Sequence, residues 1–387
     1  MTMDNGESQD GSTNSESQVG TERNSTNETS GGRLVSLDAL RGLDMLFLVG
    51  ITPILRALPE LSDSPMLQSI ADQCRHPEWQ GFTLCDLIFP LFIFIVGAAI
   101  PFSLTKRLQR DGKWAVYRHV AARAVILSVL GLVFWGTPGG VHPTWGYYSV
   151  LYRIAVSYSL AALIFMNFKP RGQALWAFGL IVGYWAVMRF VPVPGYGAGD
   201  FSQEGALSTF LSQWLSDNIS PRLMFVFSIT LIPSVANALL GALAGQWLRS
   251  ERSPSTKTLG LLLASGVLVG ISFLAAESFP LNKKLASTSF TLLVCGLSSL
   301  LLGLFYWIID VRGYRRWAFV FVVVGMNSIT IYLAARYIDF KKLAAVFVGE
   351  LSEPLGTAYP VVLACAAAII QWLLLYYLYR HKVFIRV

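Results

Sequence analysis

Between residues 33 and 387 the chain is a succession of apolar runs, several close to the roughly 20 residues that a helix needs to cross a bilayer. No other feature restricts the fold as much. Only 14% of the residues are charged and 54% are hydrophobic, whereas about 25% of a soluble domain is charged. That leaves too little polar surface for a large water-soluble protein. The expectation is an all-α polytopic membrane protein, with about ten transmembrane helices in one bundle. The runs lie near 36–56, 84–105, 119–135, 149–167, 174–191, 224–247, 258–276, 288–309, 317–335 and 357–379. A weakly apolar stretch, 338–351, reads as an interfacial helix or a continuation of the ninth run. Residues 1–32 are mostly Ser, Thr, Asn, Gly and acids, the composition of a disordered tail.

The loops orient the runs. The alternate loops KRLQRDGKWAVYR, KPR, RSERSPSTK, DVRGYRR and RHKVFIR, with Arg23 and Arg33, hold 18 of the 30 Lys and Arg; the opposite loops hold 8 and the runs 4. Lys and Arg concentrate on the cytoplasmic side, so both termini are expected in the cytoplasm. The net charge of +7 is therefore a topology signal and does not call for a nucleic-acid partner.

Polar residues within or beside the runs are the candidate functional groups, because an unpaired charge in a bilayer is costly. In RLVSLDALRGLDM, Asp38, Arg41 and Asp44 recur every three residues and fall near one helix face. Asp38 and Arg41 suit a pair that starts and anchors the helix, or a lining that meets a ligand phosphate. Asp44 lies deeper and needs a partner. Gly42 permits close approach of another helix or a ligand. In HPEWQGFTLCDLIFPLFIFIVG, His76 and Trp79 precede the second run on the outer face, and Asp86 lies at its start. Asp86 suits either a favourable acid at a helix N-terminus or a group that orients the imidazole. Pro90 removes a backbone donor and kinks its helix. Histidine, with an ordinary pKa of about 6.5, is suited to general-base work. His142, in a Gly- and Pro-rich outer loop, is its rival. Arg153 is embedded in LYRIAVSY, where it suits an ion pair with Asp44 or Asp86. Asn282, Lys283 and Ser287 precede the eighth run on the outer side, and Asn327 lies within the ninth. An Asn at that depth either links helices or touches a ligand.

Cys74 and Cys85 straddle His76, and the spacing leaves open whether they are bonded. No cysteine pair has zinc-ligand spacing, so no metal is expected. No G-x-x-x-x-G-K-[ST], G-x-S-x-G or H-E-x-x-H motif occurs.

RLVSLDALRGLDM followed by HPEWQGFTLCDLIFPLFIFIVG resembles the lysosomal heparan-alpha-glucosaminide N-acetyltransferase family and its bacterial relatives. YRIAVSYSLAAL, VPVPGYGAGDFSQEG, FPLNKKLASTSF and GMNSITIYLAARY continue the resemblance in order across residues 33–335. It implies acetyl transfer from cytoplasmic acetyl-CoA to an amine or hydroxyl of an extracytoplasmic sugar or glycolipid. The family's catalytic histidine falls on His76, with Asp86 setting its environment. Trp79, Asn282, Lys283, Ser287 and Asn327 would line the donor and acceptor paths. Arg41 and Arg153 would pair with the acids, Asp38 and Asp44 among them, or meet CoA phosphates. The basic cytoplasmic loops would attract those phosphates. One departure stands out: the family has a catalytic asparagine late in its first motif span, where this chain reads MLFLVGITPIL, with Gly50 or Thr52 near the place. Read from the residues alone, buried Asp44, Asp86 and Arg153 also suit an ion-coupled transporter or flippase for an anionic or sugar-linked substrate. Gly-containing apolar faces on the sixth and eighth runs permit a homodimer.

Overall fold

A computed structural model describes residues 34–135, 150–219 and 228–384. Residues 1–33, and with them the expected tail, lie outside the described residues, as does His142. The described chain is helical apart from loops and one two-residue antiparallel β pair, β1 (Pro192–Val193) with β2 (Gly197–Ala198).

Seven helices are long and apolar enough to cross a membrane among the described residues, or eight if a bent pair is counted as one span. The expected ten do not all appear as separate apolar helices. The second and third expected runs fall in α4 (Leu84–Trp135), which is broken at Gly112, where φ is 78° and ψ is 170°. The fifth run is the helix α6 (Pro170–Phe190), which is not among the seven. The ninth is the bent pair, α11 (Phe319–Met326) and α12 (Ser328–Tyr337), which meet at Asn327 at 72°. The stretch after it forms a separate helix, α13 (Phe340–Val348), exposing Val346 and Phe347.

The first run is also interrupted. α1 (Val35–Leu46) passes into a π-helical turn, Phe47–Ile51, and then α2 (Thr52–Ala57). Pro53 has no N–H to continue the ordinary hydrogen-bond ladder, and the turn re-aims the wall that Leu48, Thr52 and Pro53 present to the interior. A short helix, α3 (Pro65–Asp72), leads to the His76 loop.

Close packing positions these elements. α1 lies on α11, and α4 lies on both α5 (Val150–Asn167) and α8 (Leu231–Arg249). A Cβ added at Gly42 would collide with the Phe321 backbone, and one at Gly97 with the carbonyl of Ala238. Gly42 therefore accommodates a neighbouring helix. Asn237 of α8 donates to the Pro90 carbonyl at 2.9 Å and accepts from the Cys295 thiol at 3.3 Å. That ties the proline-containing helix to α8 and to α10 (Thr288–Phe305). The core of the bundle includes Phe92, Ile93, Ile154, Tyr158 and Leu239. Large apolar side chains such as Leu175, Phe178, Leu263 and Leu274 face outward from α6 and α9 (Pro254–Ala276), as a lipid solvent requires.

Candidate active site

Asp86 organises the site. Its two oxygens divide the work between local structure and long-range contact. Oδ2 accepts from the amide of Thr83 at 3.1 Å and from its hydroxyl at 3.2 Å, which closes the first turn of α4. Oδ1 accepts from His76 Nδ1 at 2.7 Å and from Lys283 Nζ at 3.1 Å. Asp86 thus touches the helix start and the imidazole at once. The carboxylate is fully buried, whereas the His76 side chain is about half exposed. Lys283 Nζ lies 3.3 Å from each ring nitrogen of His76. Burial pushes the Lys283 ammonium below the usual lysine range, and the Asp86 charge acts the other way. With Nδ1 held by a carboxylate, the imidazole shares Nε2 between the Lys283 ammonium and the cavity.

The loop bearing His76 is fastened at several points. Arg56 Nε donates to the Cys74 carbonyl at 2.9 Å, and the Cys85 amide donates to the Gln73 carbonyl at 3.1 Å. Gly81 N donates to Leu281 O at 2.9 Å, joining this loop to the one that carries Lys283. Cys74 and Cys85 are free, buried thiols, and burial raises the pKa of Cys74.

Several expected site residues build this frame. Trp79 Nε1 donates to Phe201 O at 2.8 Å, and Lys284 lies 5.6 Å from the centre of the Trp79 ring. Ser287 Oγ accepts from Phe290 N, capping α10, and from Asn282 N; Asn282 Oδ1 accepts from Leu285 N at 2.9 Å. These bonds shape the turn that delivers Lys283, and neither Asn282 nor Ser287 lines the cavity described next. Asn327 marks the α11–α12 bend and donates to Val383 O at 3.0 Å; its neighbour Ser328 takes the lining position. Arg153 donates to Thr230 Oγ1 at 2.7 Å. Asp38 and Arg41 are 4.0 Å apart on α1, which fits the helix-start pair.

His76 and Lys283 stand at a cavity of about 310 Å³. Arg56, Thr52 and Cys85 line it beside them, and Asp44, Phe89, Phe92, Ser328 and Tyr332 complete much of the remaining wall. A second cavity of about 260 Å³ is lined by Arg41, Ser103 and Arg123. Both cavities have Phe92, Leu151, Ile154, Ser328 and Ile329 in their walls. Arg123 also lies over the Tyr158 ring, 4.4 Å from its centre. No group of three or more His, Cys, Asp or Glu suited to a metal occurs among the described residues.

Sequence reasoning missed Thr83, Arg56, Asn237 and Arg123 as organising residues. Thr83 was legible: Thr83-Leu-Cys-Asp86 has the spacing of a reciprocal helix-start cap. Arg56 and Asn237 carry no such local signal, because their partners are distant in sequence.

A family model described as a domain of unknown function, DUF5009, matches residues 33–197, a stretch that includes Asp44, His76 and Asp86. The chain is 25% identical over 374 residues to heparan-alpha-glucosaminide N-acetyltransferase of Homo sapiens, covering 80% of this chain and 55% of the relative. The Mus musculus protein of the same name is 25% identical over 372 residues, covering 80% and 56%. The chain is similar to these N-acetyltransferases over four fifths of its length. It spans about half the length of the curated relatives it matches.

Proposed function

We propose that the protein is a membrane-embedded acyltransferase of the bacterial plasma membrane. It moves an acetyl group from cytoplasmic acetyl-CoA to an amine or hydroxyl of an extracytoplasmic sugar. The reading includes ten crossings with both termini in the cytoplasm, counting α4 as two spans across Gly112. The observation that carries it is the His76–Asp86–Lys283 cluster at a cavity that shares five wall residues with a second, arginine-lined cavity.

In this reading His76 Nε2 takes a proton from the acceptor nitrogen as that nitrogen attacks the thioester carbonyl. Asp86 holds the imidazole in the required tautomer and balances its charge. The Lys283 ammonium faces the oxyanion that develops on the carbonyl oxygen. The carbon–sulfur bond then breaks, and the proton held by His76 passes to the departing thiolate. Arg41 and Arg123 supply positive charge at the inner cavity for CoA phosphates. Thr52, near the place of the family asparagine, brings a hydroxyl to the cavity wall, with Oγ1 3.8 Å from Cys85 Sγ.

Acetyl-CoA binding and acetyl transfer to glucosamine by detergent-purified protein test this directly. His76→Ala is expected to keep donor binding and to lose about 10²–10⁴-fold in turnover. Absence of acetyl-CoA binding by folded native protein would sink the proposal. Acetylated enzyme accumulating without acceptor would replace direct attack by transfer through His76.

A further inference from the structure

Cys74 and Cys85 bracket the histidine and have no part in the proposed reaction. Cys74 lies two residues before His76, and Cys85 directly precedes Asp86. The fold brings the two together. The Cys85 amide donates to the carbonyl of Gln73, the residue before Cys74, at 3.1 Å. Both side chains then pack into one small buried cluster with Ile88. The Cys85 thiol and the Thr52 hydroxyl are hydrogen-bonding neighbours of the Cys74 thiol, and Thr52 Oγ1 lies 3.8 Å from Cys85 Sγ.

The two thiols are not equally reachable. Cys74 is fully buried, whereas Cys85 is 6% exposed and belongs to the wall of the 310 Å³ cavity. A small disulfide entering the cavity therefore meets Cys85 first, with Cys74 behind it. Arg56 donates to the Cys74 carbonyl at 2.9 Å, and its positive charge favours a Cys74 thiolate against the cost of burial. The remaining cysteines are placed elsewhere: Cys295 donates to Asn237 at 3.3 Å, and Cys365 lies in the helix Tyr359–Arg380. A bond between Cys74 and Cys85 would tie the segment that carries His76 to the residue beside Asp86.

We propose that Cys74 and Cys85 are a thiol–disulfide site, which a small external disulfide converts into a covalent clasp on the His76 loop. The Cys85 thiolate attacks one sulfur of that disulfide and displaces the first thiolate. The Cys74 thiolate then attacks Cys85 Sγ, forms the Cys74–Cys85 bond and displaces the second. The two cysteine protons end on the two released thiols, so the pair is oxidised by two electrons and the external disulfide is reduced by two. The clasp restricts the unfolded loop and thereby stabilises the folded one. The site is independent of the acyltransferase reading. Its cellular setting, outside the cytoplasm where disulfides persist, rests on the proposed orientation.

Purified native protein treated with bis(2-hydroxyethyl) disulfide, or with dithiothreitol, is denatured, alkylated and mapped by mass spectrometry. The disulfide is expected to remove two of the four alkylatable cysteines, to give a Cys74–Cys85 crosslinked peptide, and to raise the thermal midpoint. Dithiothreitol should reverse all three. Cys74→Ser should stop at a mercaptoethanol adduct on Cys85, and Cys85→Ser should leave Cys74 unmodified. The native comparison needs no variant, so it decides the matter even where a substitution unfolds the protein. A pair that stays reduced, an adduct on native Cys85 that never closes onto Cys74, or a bond through Cys295 or Cys365 overturns the proposal. A midpoint that falls on oxidation overturns the stabilising role. Acetyl transfer measured on both forms keeps the two readings apart. A clasp in protein that binds no acetyl-CoA sinks the acyltransferase reading alone.

Discussion

A single carboxylate, Asp86, anchors a helix start through one oxygen and a histidine–lysine pair through the other. Asp86→Asn keeps the shape and removes the charge. It is expected to cost about 1.5–3 kcal/mol, the range for hydrogen bonds to charged groups, with a lowered thermal midpoint. Turnover should fall as well, since the amide no longer fixes the imidazole tautomer. Lys283 adds a pH dependence of stability. Burial holds its pKa below the unfolded value, so between the folded and unfolded values the native state binds fewer protons than the unfolded chain. Stability from this group therefore rises with pH through that window. Unfolding titrations from neutral pH towards the ordinary lysine value of about 10.4 should show the rise in native protein. Lys283→Met should flatten it; an unchanged slope would show that the group is not desolvated. Read from the sequence, Lys283 was an exception to the charge rule; the structure supplies a partner, the buried Asp86, far away in the chain.

At the scale of elements, backbone contact sets how tightly helices meet. Gly97 lies against the carbonyl of Ala238, whereas a Cβ at Gly179 on α6 would meet nothing within 4 Å. Gly97→Ala is expected to cost about 1–3 kcal/mol as overpacking. Gly179→Ala should be neutral or stabilising by about 0.5–1 kcal/mol, as a helix-interior glycine is replaced. Thermal midpoints of the pair in one detergent check the contrast, and equal effects would argue against the α4–α8 contact. The apolar runs were legible because each helix must hide its backbone from lipid. The break at Gly112, the bend at Asn327 and the π-helical turn were less so. A run of apolar residues looks alike whether it is one helix or two, and only Pro53 and Gly112 hint at the interruptions.

At the scale of the whole molecule, the proposed orientation is open to test. In the proposed topology the Asp63 loop is extracytoplasmic and the Glu251 loop cytoplasmic, and both residues are exposed. Asp63→Cys should react with a membrane-impermeant maleimide added to intact cells, and Glu251→Cys only after permeabilisation. The opposite pattern would invert the orientation and put the His76 loop in the cytoplasm. Cys74, Cys85 and Cys295 are buried and Cys365 is half-buried, so a variant with Cys365 replaced supplies a quiet background.

By itself the sequence determined the solvent and the class of fold, because twenty-residue apolar runs with so few charges have no stable arrangement in water. It also singled out His76 and Asp86, whose ten-residue separation keeps them on one loop and the helix start that follows. Tertiary structure decided which polar residues meet. Lys283 joins the pair from across the chain, and Asn282 and Ser287 shape its turn. Trp79 and Arg153 bond to distant groups, while Asp44 remains at the cavity wall without a partner. Spacing along one strand of sequence cannot encode those meetings, because they depend on how closely separate helices pack and how their connecting loops cross.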